Sequence, residues 1–408
     1  MDQEQIVEAE VVEATAVATF PPKPDAIMTL LHSDSFLPGA QTLLYSVKKH
    51  LSNKVAYSPE LVVLVTPDVS PQTHKQLEPF CTRVISVDDI HFPEHSIDSK
   101  IPKQEPLHRS LDNHCPGLTK LRIFQLQQYD TVLYLDCDCL VLKDVSPLLE
   151  LNKIYVESEA LIAAAPDVIP PDKFNSGVMV VRPNRKTFEN MLGQSGLLAT
   201  QDGSDTGFLN AYYPNWFQNM PPMARLEIGY NAQQVLHDLT ISNKKTGASN
   251  YWDTSIAPTL SIVHYSNERK PWQEVLQEAG SSSSSSSTEP SKCKLVSLWK
   301  QWHQKSQNFL ARHLKEQYQQ EQRDKERHRQ QAKEQEQARL QQQQQQSTGL
   351  QERANNPHEI DRLVRNRFKE LRRQGLGIKE AMDQARDELQ PEEELSATEQ
   401  VAAMFGLR

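Results

Sequence analysis

No stretch of this chain approaches the ~18 consecutive apolar residues a membrane-crossing helix needs, so no membrane span is expected. Cysteine is scarce: Cys81, Cys115, Cys137, Cys139 and Cys293 are odd in number, scattered, and include no Cys-x-x-Cys pair. That excludes a disulfide framework and suits free thiols in a reducing compartment. A basic excess is also missing. With 44 Lys and Arg against 53 Asp and Glu, the formal charge is −9, which argues against a nucleic-acid partner while leaving room for a local basic pocket. Met1–Glu13 holds five acids and no base, unlike a signal or transit peptide. The expectation is a soluble, cytoplasmic protein.

Apolar residues make up only 38% of the chain, short of the usual 45–50%, and the deficit is local. Residues 27–263 are rich in apolar runs, whereas beyond Gly280 Gln, Glu, Lys, Arg and Ser dominate. The expected organisation is a disordered acidic and Pro-rich lead-in over 1–24 and one catalytic domain over 25–275. A Ser-rich linker over 276–292 and a helical or disordered polar tail over 293–408 follow. The stripe Leu295, Trp299, Trp302, Phe309, Leu310 and Leu314 predicts a docking helix, and Ile360, Leu363, Val364, Phe368 and Leu371 predict a second. Between them, Lys315–Gln346 lacks the apolar seam of a continuous coiled coil, so a solvated helix or disorder is expected. Deletion beyond Gly280 is expected to spare the catalytic domain.

Within that domain, Ala26–Leu31, Leu61–Val65, Arg83–Val87 and Thr131–Leu135 have the short apolar, β-branched character of buried strands. Helical patterns over Leu37–Leu51, Pro71–Phe80 and Gly117–Gln127 alternate with them. This predicts an α/β fold with a mostly parallel sheet, its ligands just beyond the carboxyl ends of the strands. Less regular strands are expected over Ala160–Ala165, Gly177–Val181 and Ser261–His264, and helices over Phe188–Leu192 and Ser204–Ala211.

At the end of one such strand stands Tyr134-Leu-Asp-Cys-Asp-Cys-Leu-Val141. Carboxylates at i and i+2 across a strand end can converge on a hard divalent cation and leave coordination positions for a phosphate. Asp-x-Asp also occurs in ordinary turns. A phosphatase of the haloacid-dehalogenase type uses it too, but on the first strand of its domain, and here three strands precede it.

The wider pattern resembles the glycogenin-like group of family-eight glycosyltransferases from about Ala26 to Trp272. The matching pieces are Leu118-Thr-Lys-Leu121, Leu135-Asp-Cys-Asp-Cys-Leu-Val-Leu142, Ala163-Ala-Ala-Pro-Asp167, Phe174-Asn-Ser-Gly-Val178, Asp202-Gly-Ser-Asp-Thr-Gly-Phe-Leu-Asn210, Tyr230-Asn231, Val263-His264 and Lys270-Pro-Trp272. The resemblance implies a Rossmann-like fold of the GT-A type, a UDP-sugar donor, Mn²⁺ or another divalent cation, and retention of anomeric configuration. It implies that Asp136, Asp138 and His264 are metal ligands, and that Lys120 and Lys270 meet the sugar and the diphosphate. It places Asn175, Ser176 and Gly177 in the sugar-binding turn, Asp202 and Asp205 against the donor sugar, and Leu30, Phe36 and Cys137 in the donor site. Catalysis would rest on Asp205, Asp202 and Lys120. Both front-face departure and attack and a covalent intermediate fit these residues.

The sequence departs from the family pattern at Phe36, where a Tyr is usual, at Thr206 for Gln, and at Asn267 for Gly. These changes bear on the sugar more than on the metal. The implied activity is transfer of a hexose, glucose first, to a carbohydrate or protein acceptor. Tyr251 is the candidate for self-glucosylation. A homodimer and a tail-mediated protein partner are further expectations. The alternative is a catalytically weak scaffold that recruits partners through its tail.

Overall fold

The computed structural model describes residues 23–51, 58–91, 116–151, 162–168, 170–195, 197–198, 203–241, 250–274, 292–354 and 356–388. Residues 1–22, the serine run Ser281–Ser287, Asp202, Cys115 and the acidic segment Glu392–Glu394 lie outside the described residues. The chain divides into two compact units, Met1–His313 and Leu314–Arg408.

The first unit is built on a six-stranded sheet of order β3-β2-β1-β4-β7-β6. Its strands are β1 (Ala26–Leu31), β2 (Glu60–Val65), β3 (Arg83–Ser86), β4 (Val132–Leu135), β6 (Ile162–Pro166) and β7 (Phe174–Val181). β1, β2, β3 and β4 run parallel, and β7 and β6 continue the sheet antiparallel. The expected α/β architecture is therefore present. β1 is buried along its whole length, as a strand covered on both faces must be. Ile27 and Leu31 point into one core layer, Ala26, Met28 and Leu30 into the other.

The helix α1 (Leu37–His50) covers the first layer. It starts with Pro38, whose fixed φ suits the first turn, and ends on Lys48, Lys49 and His50, which suit the carboxyl end of the helix dipole. The segment Pro116–Gln125 covers the second layer as a 3₁₀ helix. Because the chain moves from β1 outward to β2 and β3 and then returns to β4 on the other side of β1, strand order reverses between β1 and β4. A crevice opens at the carboxyl ends of the strands at such a reversal.

A second, three-stranded sheet of order β5-β9-β8 was not expected from the sequence. β5 (Cys139–Val141) pairs antiparallel with β9 (Ile262–His264), and β8 (Ala232–Gln233) pairs parallel with β9. Its core contains Leu140, Val263, Tyr265 and Trp272, together with Leu295 and Trp299. The latter two belong to a single helix, Lys292–Ala354, whose residues up to His313 are part of the first unit.

In the second unit, the helix residues over Lys315–Gln346 are almost wholly exposed, the solvated-helix outcome. The helices Pro357–Arg373 and Ile378–Asp387 pack together through Val364, Leu371, Ala381 and Ala385, with Ile360 and Phe368 against them. Gly375, at φ +97°, makes the turn before the second of them. Among the described residues no helix is long and apolar enough to cross a membrane.

Candidate active site

β4 ends at Leu135, and Asp136 and Asp138 follow at the strand-order reversal. The Asp136 N–H donates to the Gly177 carbonyl at 2.8 Å, which fixes the strand tip against β7. The chain then turns directly into β5, and the β5–β9 register sets Cys139 opposite His264. The Tyr265 N–H donates to the Asp138 carbonyl at 3.0 Å. A histidine 126 residues beyond Asp138 in the sequence thus reaches the acidic pair through one strand pairing. Gly177 gives the ring its room, since a Cβ there would overlap His264.

Each carboxylate divides its oxygens between a lysine and the imidazole. Asp136 Oδ1 accepts from Lys120 Nζ at 2.9 Å and from the Tyr134 hydroxyl at 2.8 Å, while Oδ2 lies 3.9 Å from His264 Nε2. Asp138 Oδ2 accepts from Lys270 Nζ at 2.7 Å, while Oδ1 lies 3.3 Å from His264 Nε2. That Oδ1 is buried and has no hydrogen-bond partner among the described residues. Around an octahedral ion with ligands at about 2.1 Å, neighbouring ligands sit about 3.0 Å apart and opposite ones about 4.2 Å apart. Both spacings to Nε2 fall in that range. An orphaned buried oxygen, a second carboxylate oxygen and an imidazole nitrogen facing one point fit a divalent cation.

Cys139 also lies close: ligand atoms of Asp138, Cys139 and His264 fall within 4.8 Å of one another. Burial, and then the charges of Asp138 and Asp136, push the Cys139 thiol well above its ordinary range. Its Sγ is turned to the Gly177 carbonyl at 3.8 Å. A soft sulfur is a poor ligand for a hard cation, and the oxygens of Asp136 suit it better.

Behind the pair sits Asp205, the first residue of the helix Asp205–Tyr212, which Ser204 caps. Asp205 Oδ2 lies 2.6 Å from Lys120 Nζ and accepts from Ser176 Oγ at 2.5 Å. Burial alone would raise the Asp205 carboxyl. The Lys120 ammonium and the Ser176 hydroxyl overcome that and hold it below the ordinary carboxylate range. Burial likewise opposes ionisation of Asp138, yet the Lys270 ammonium holds it well below that range. Lys120 and Lys270 are the converse. Burial favours their neutral forms, and the facing carboxylates raise both above the ordinary lysine value. Three carboxylates against two ammonium groups leave one net negative charge. A dication would reverse it to one net positive charge, a suitable field for a phosphate-bearing ligand.

Asp136, Asp138, Asp205, His264, Lys120, Lys270 and Ser176 therefore share one cluster. Phe36 lies edge-on to Trp272, which follows Lys270 by two residues, with ring centroids 5.6 Å apart. The side chains of Leu30 and Cys137 are buried in the two core layers. Thr206 takes up Ser176, Oγ1 to Oγ at 2.6 Å, and Asn267 donates to Asp238 at 3.0 Å. Tyr251 is 52% exposed, just before the short π-helix Trp252–Ile256.

The model of glycosyl transferase family 8 matches residues 27–275, more than half the chain. The chain belongs to glycosyl transferase family 8. Glycogenin-1 of Oryctolagus cuniculus is 30% identical to this family 8 chain over 248 residues, which cover 60% of this chain and 65% of that protein. Glycogenin-1 of Homo sapiens is 30% identical over 248 residues, 60% of this chain and 62% of that protein. Inositol phosphorylceramide glucuronosyltransferase 1 of Arabidopsis thaliana is 28% identical over 265 residues, 60% of this chain and 42% of that protein. The chain spans less than two thirds of the length of each.

Two residues in the cluster carry no role in the sequence reading. Tyr134, two positions before Asp136 on the same face of β4, donates to its carboxylate, and Lys120 Nζ stands 5.1 Å from its ring centroid. The strand period alone was enough to find it. Asn231 Oδ1 lies 2.8 Å from His264 Nδ1. Only the parallel pairing of β8 with β9 brings it there, and nothing in the local sequence signals that pairing.

Proposed function

We propose that this chain is a metal-dependent retaining glycosyltransferase that moves a hexose, glucose first, from a UDP-sugar to a carbohydrate or protein acceptor. The observation that carries the reading is the division of oxygens by Asp136 and Asp138, one to a lysine and one toward His264 Nε2. Asp136, Asp138 and His264 would hold the cation, with Mn²⁺ as the proposed ion. Such an ion, when bound, supplies Lewis-acid neutralisation of the charge that grows on a departing diphosphate.

Lys270 and Lys120 add fixed positive charge in a largely dry site, where it acts more strongly than in water. Asp205, held ionised by Lys120 and Ser176, orients the donor sugar and offsets positive charge developing at its anomeric carbon. Asn175, Ser176 and Gly177, expected as a turn, lie within β7, and in this reading that stretch of strand meets the sugar hydroxyls.

The test is UDP release by the full chain from UDP-glucose, UDP-galactose and UDP-glucuronic acid, with Mn²⁺ and with chelator. Release that requires the metal and falls more than about hundredfold in Asp138→Ala is expected. UDP–Mn²⁺ binding without turnover on any donor would favour the scaffold reading. Tyr251, half exposed, extends the acceptor proposal to the chain itself. Hexose increments in the intact mass after incubation with UDP-glucose, lost in Tyr251→Phe, support this, and their persistence in that variant removes it.

A further inference from the structure

The ring of His264 is held by a relay that starts at a backbone group. The Gly177 N–H donates to Asn175 Oδ1 at 3.0 Å. A backbone N–H has no acceptor role, so the amide atom facing it must be oxygen. The same Asn175 Oδ1 meets one end of the Asn231 amide at 3.0 Å, and that end must therefore be the NH₂ donor. The other end of Asn231 is then its oxygen, and it lies 2.8 Å from His264 Nδ1. An amide oxygen can only accept, so Nδ1 must carry the proton. The lone pair of the neutral ring then sits on Nε2, the nitrogen facing Asp138 Oδ1 and Asp136 Oδ2. Amide and tautomer assignments are normally chosen by optimising a network. Here a single backbone donor dictates all three.

We infer that Asn231 is a positioning residue: anchored through Asn175 to the Gly177 N–H, it locks His264 in the tautomer that offers Nε2 to a divalent cation. Asn231 and His264 are 1% and 4% exposed, so water does not replace the amide as acceptor. Partners that fix the second nitrogen of a ligating histidine set both its orientation and its basicity. The inference rests on the metal reading proposed above and adds to it a residue that never touches the ion.

Mn²⁺ alone, titrated onto the full chain and followed by the electron paramagnetic resonance signal of the free ion, tests the relay. Asn231→Ala is expected to weaken the binding that depends on His264 by about ten- to hundredfold. Asn231→Asp keeps an acceptor at Nδ1 but loses the donor to Asn175 Oδ1, so it is expected to recover only part of that loss. Added to His264→Ala, Asn231→Ala costs nothing more, because its effect passes through the ring. An unchanged Mn²⁺ affinity in Asn231→Ala, or an equal further loss in the His264→Ala background, overturns the inference. Nitrogen-15 NMR of the wild-type chain gives an independent reading: Nδ1 protonated is expected, and a ring protonated only at Nε2 contradicts it. No saturable Mn²⁺ binding by the wild-type chain would overturn the metal reading and the relay together. Mn²⁺ binding without UDP release would fault the transferase reading and leave the relay standing.

Discussion

Lys120 Nζ stands 3% exposed between Asp136 and Asp205, at 2.9 and 2.6 Å, so neither carboxylate meets bulk water as its main partner. Replacing Lys120 by Met leaves Asp205 buried without its counter-charge. Breaking a buried pair in this way costs about 3–5 kcal/mol. The pH dependence carries the signature. In the wild type the folded Asp205 value is depressed, so its contribution is present above the ordinary carboxylate value, about 3.9, and fades as pH falls through the folded value. In Lys120→Met, burial is opposed only by the remaining hydrogen bonds, chiefly from Ser176, and is expected to lift the folded value above the unfolded one. Stability is then lost as pH rises. Urea midpoints are expected to show a larger deficit near pH 7.5 than near pH 4.5, and equal deficits at both would contradict the assignment.

Asp136 and Asp138 stood out in the sequence by motif and strand pattern, whereas Lys120 was named only through the family resemblance. Asn231 fell within a matching piece, Tyr230-Asn231, but was given no role, because its role depends on which nitrogen of a distant ring it faces.

Local apolar pattern named β1, β2, β3 and β4 correctly, since each is a short buried run bounded by turn formers. It missed β5, whose three residues are too few to show a period and merge with the acidic motif. That strand is what brings His264 to Asp138, so resemblance placed the histidine where residue patterns could not.

The helix beginning at Lys292 was read as a weak docking element. Its first turns bury Leu295 and Trp299 and carry Trp302 and Phe309 against α1. Trp299 packs on Trp272, with centroids 5.7 Å apart, and Trp272 follows Lys270 by two residues and meets Phe36. The Tyr265 hydroxyl donates to the Leu295 carbonyl at 2.7 Å. Trp299→Ala is expected to cost about 3–5 kcal/mol. Because the loss lies beneath the Lys270 segment, Mn²⁺-dependent UDP affinity is expected to fall with it. Unchanged thermal stability in this variant would mean the helix is not seated there.

Across the whole molecule, the two compact units meet in sequence at His313 and Leu314. A chain ended after His313 is expected to keep the melting temperature of the first unit and its UDP release. One ended after Gly280 exposes Trp272 and Tyr265 and is expected to melt several degrees lower. Equal melting of the two truncations would contradict the docking. The helical hairpin of the second unit was half legible: Ile360, Val364, Phe368 and Leu371 mark its first helix, whereas the alanines Ala381 and Ala385 that complete its core give little hydrophobic signal.

Everything proposed for catalysis depends on one ion shared by three side chains from two sheets. The most direct measurement is anomalous diffraction at the manganese edge from crystals of the full chain grown with Mn²⁺ and UDP. One peak is predicted within about 2.0–2.3 Å of carboxylate oxygens of Asp136 and Asp138 and of His264 Nε2. A peak elsewhere, or a bound ion that leaves His264 facing an empty Asp138 Oδ1, would contradict the account.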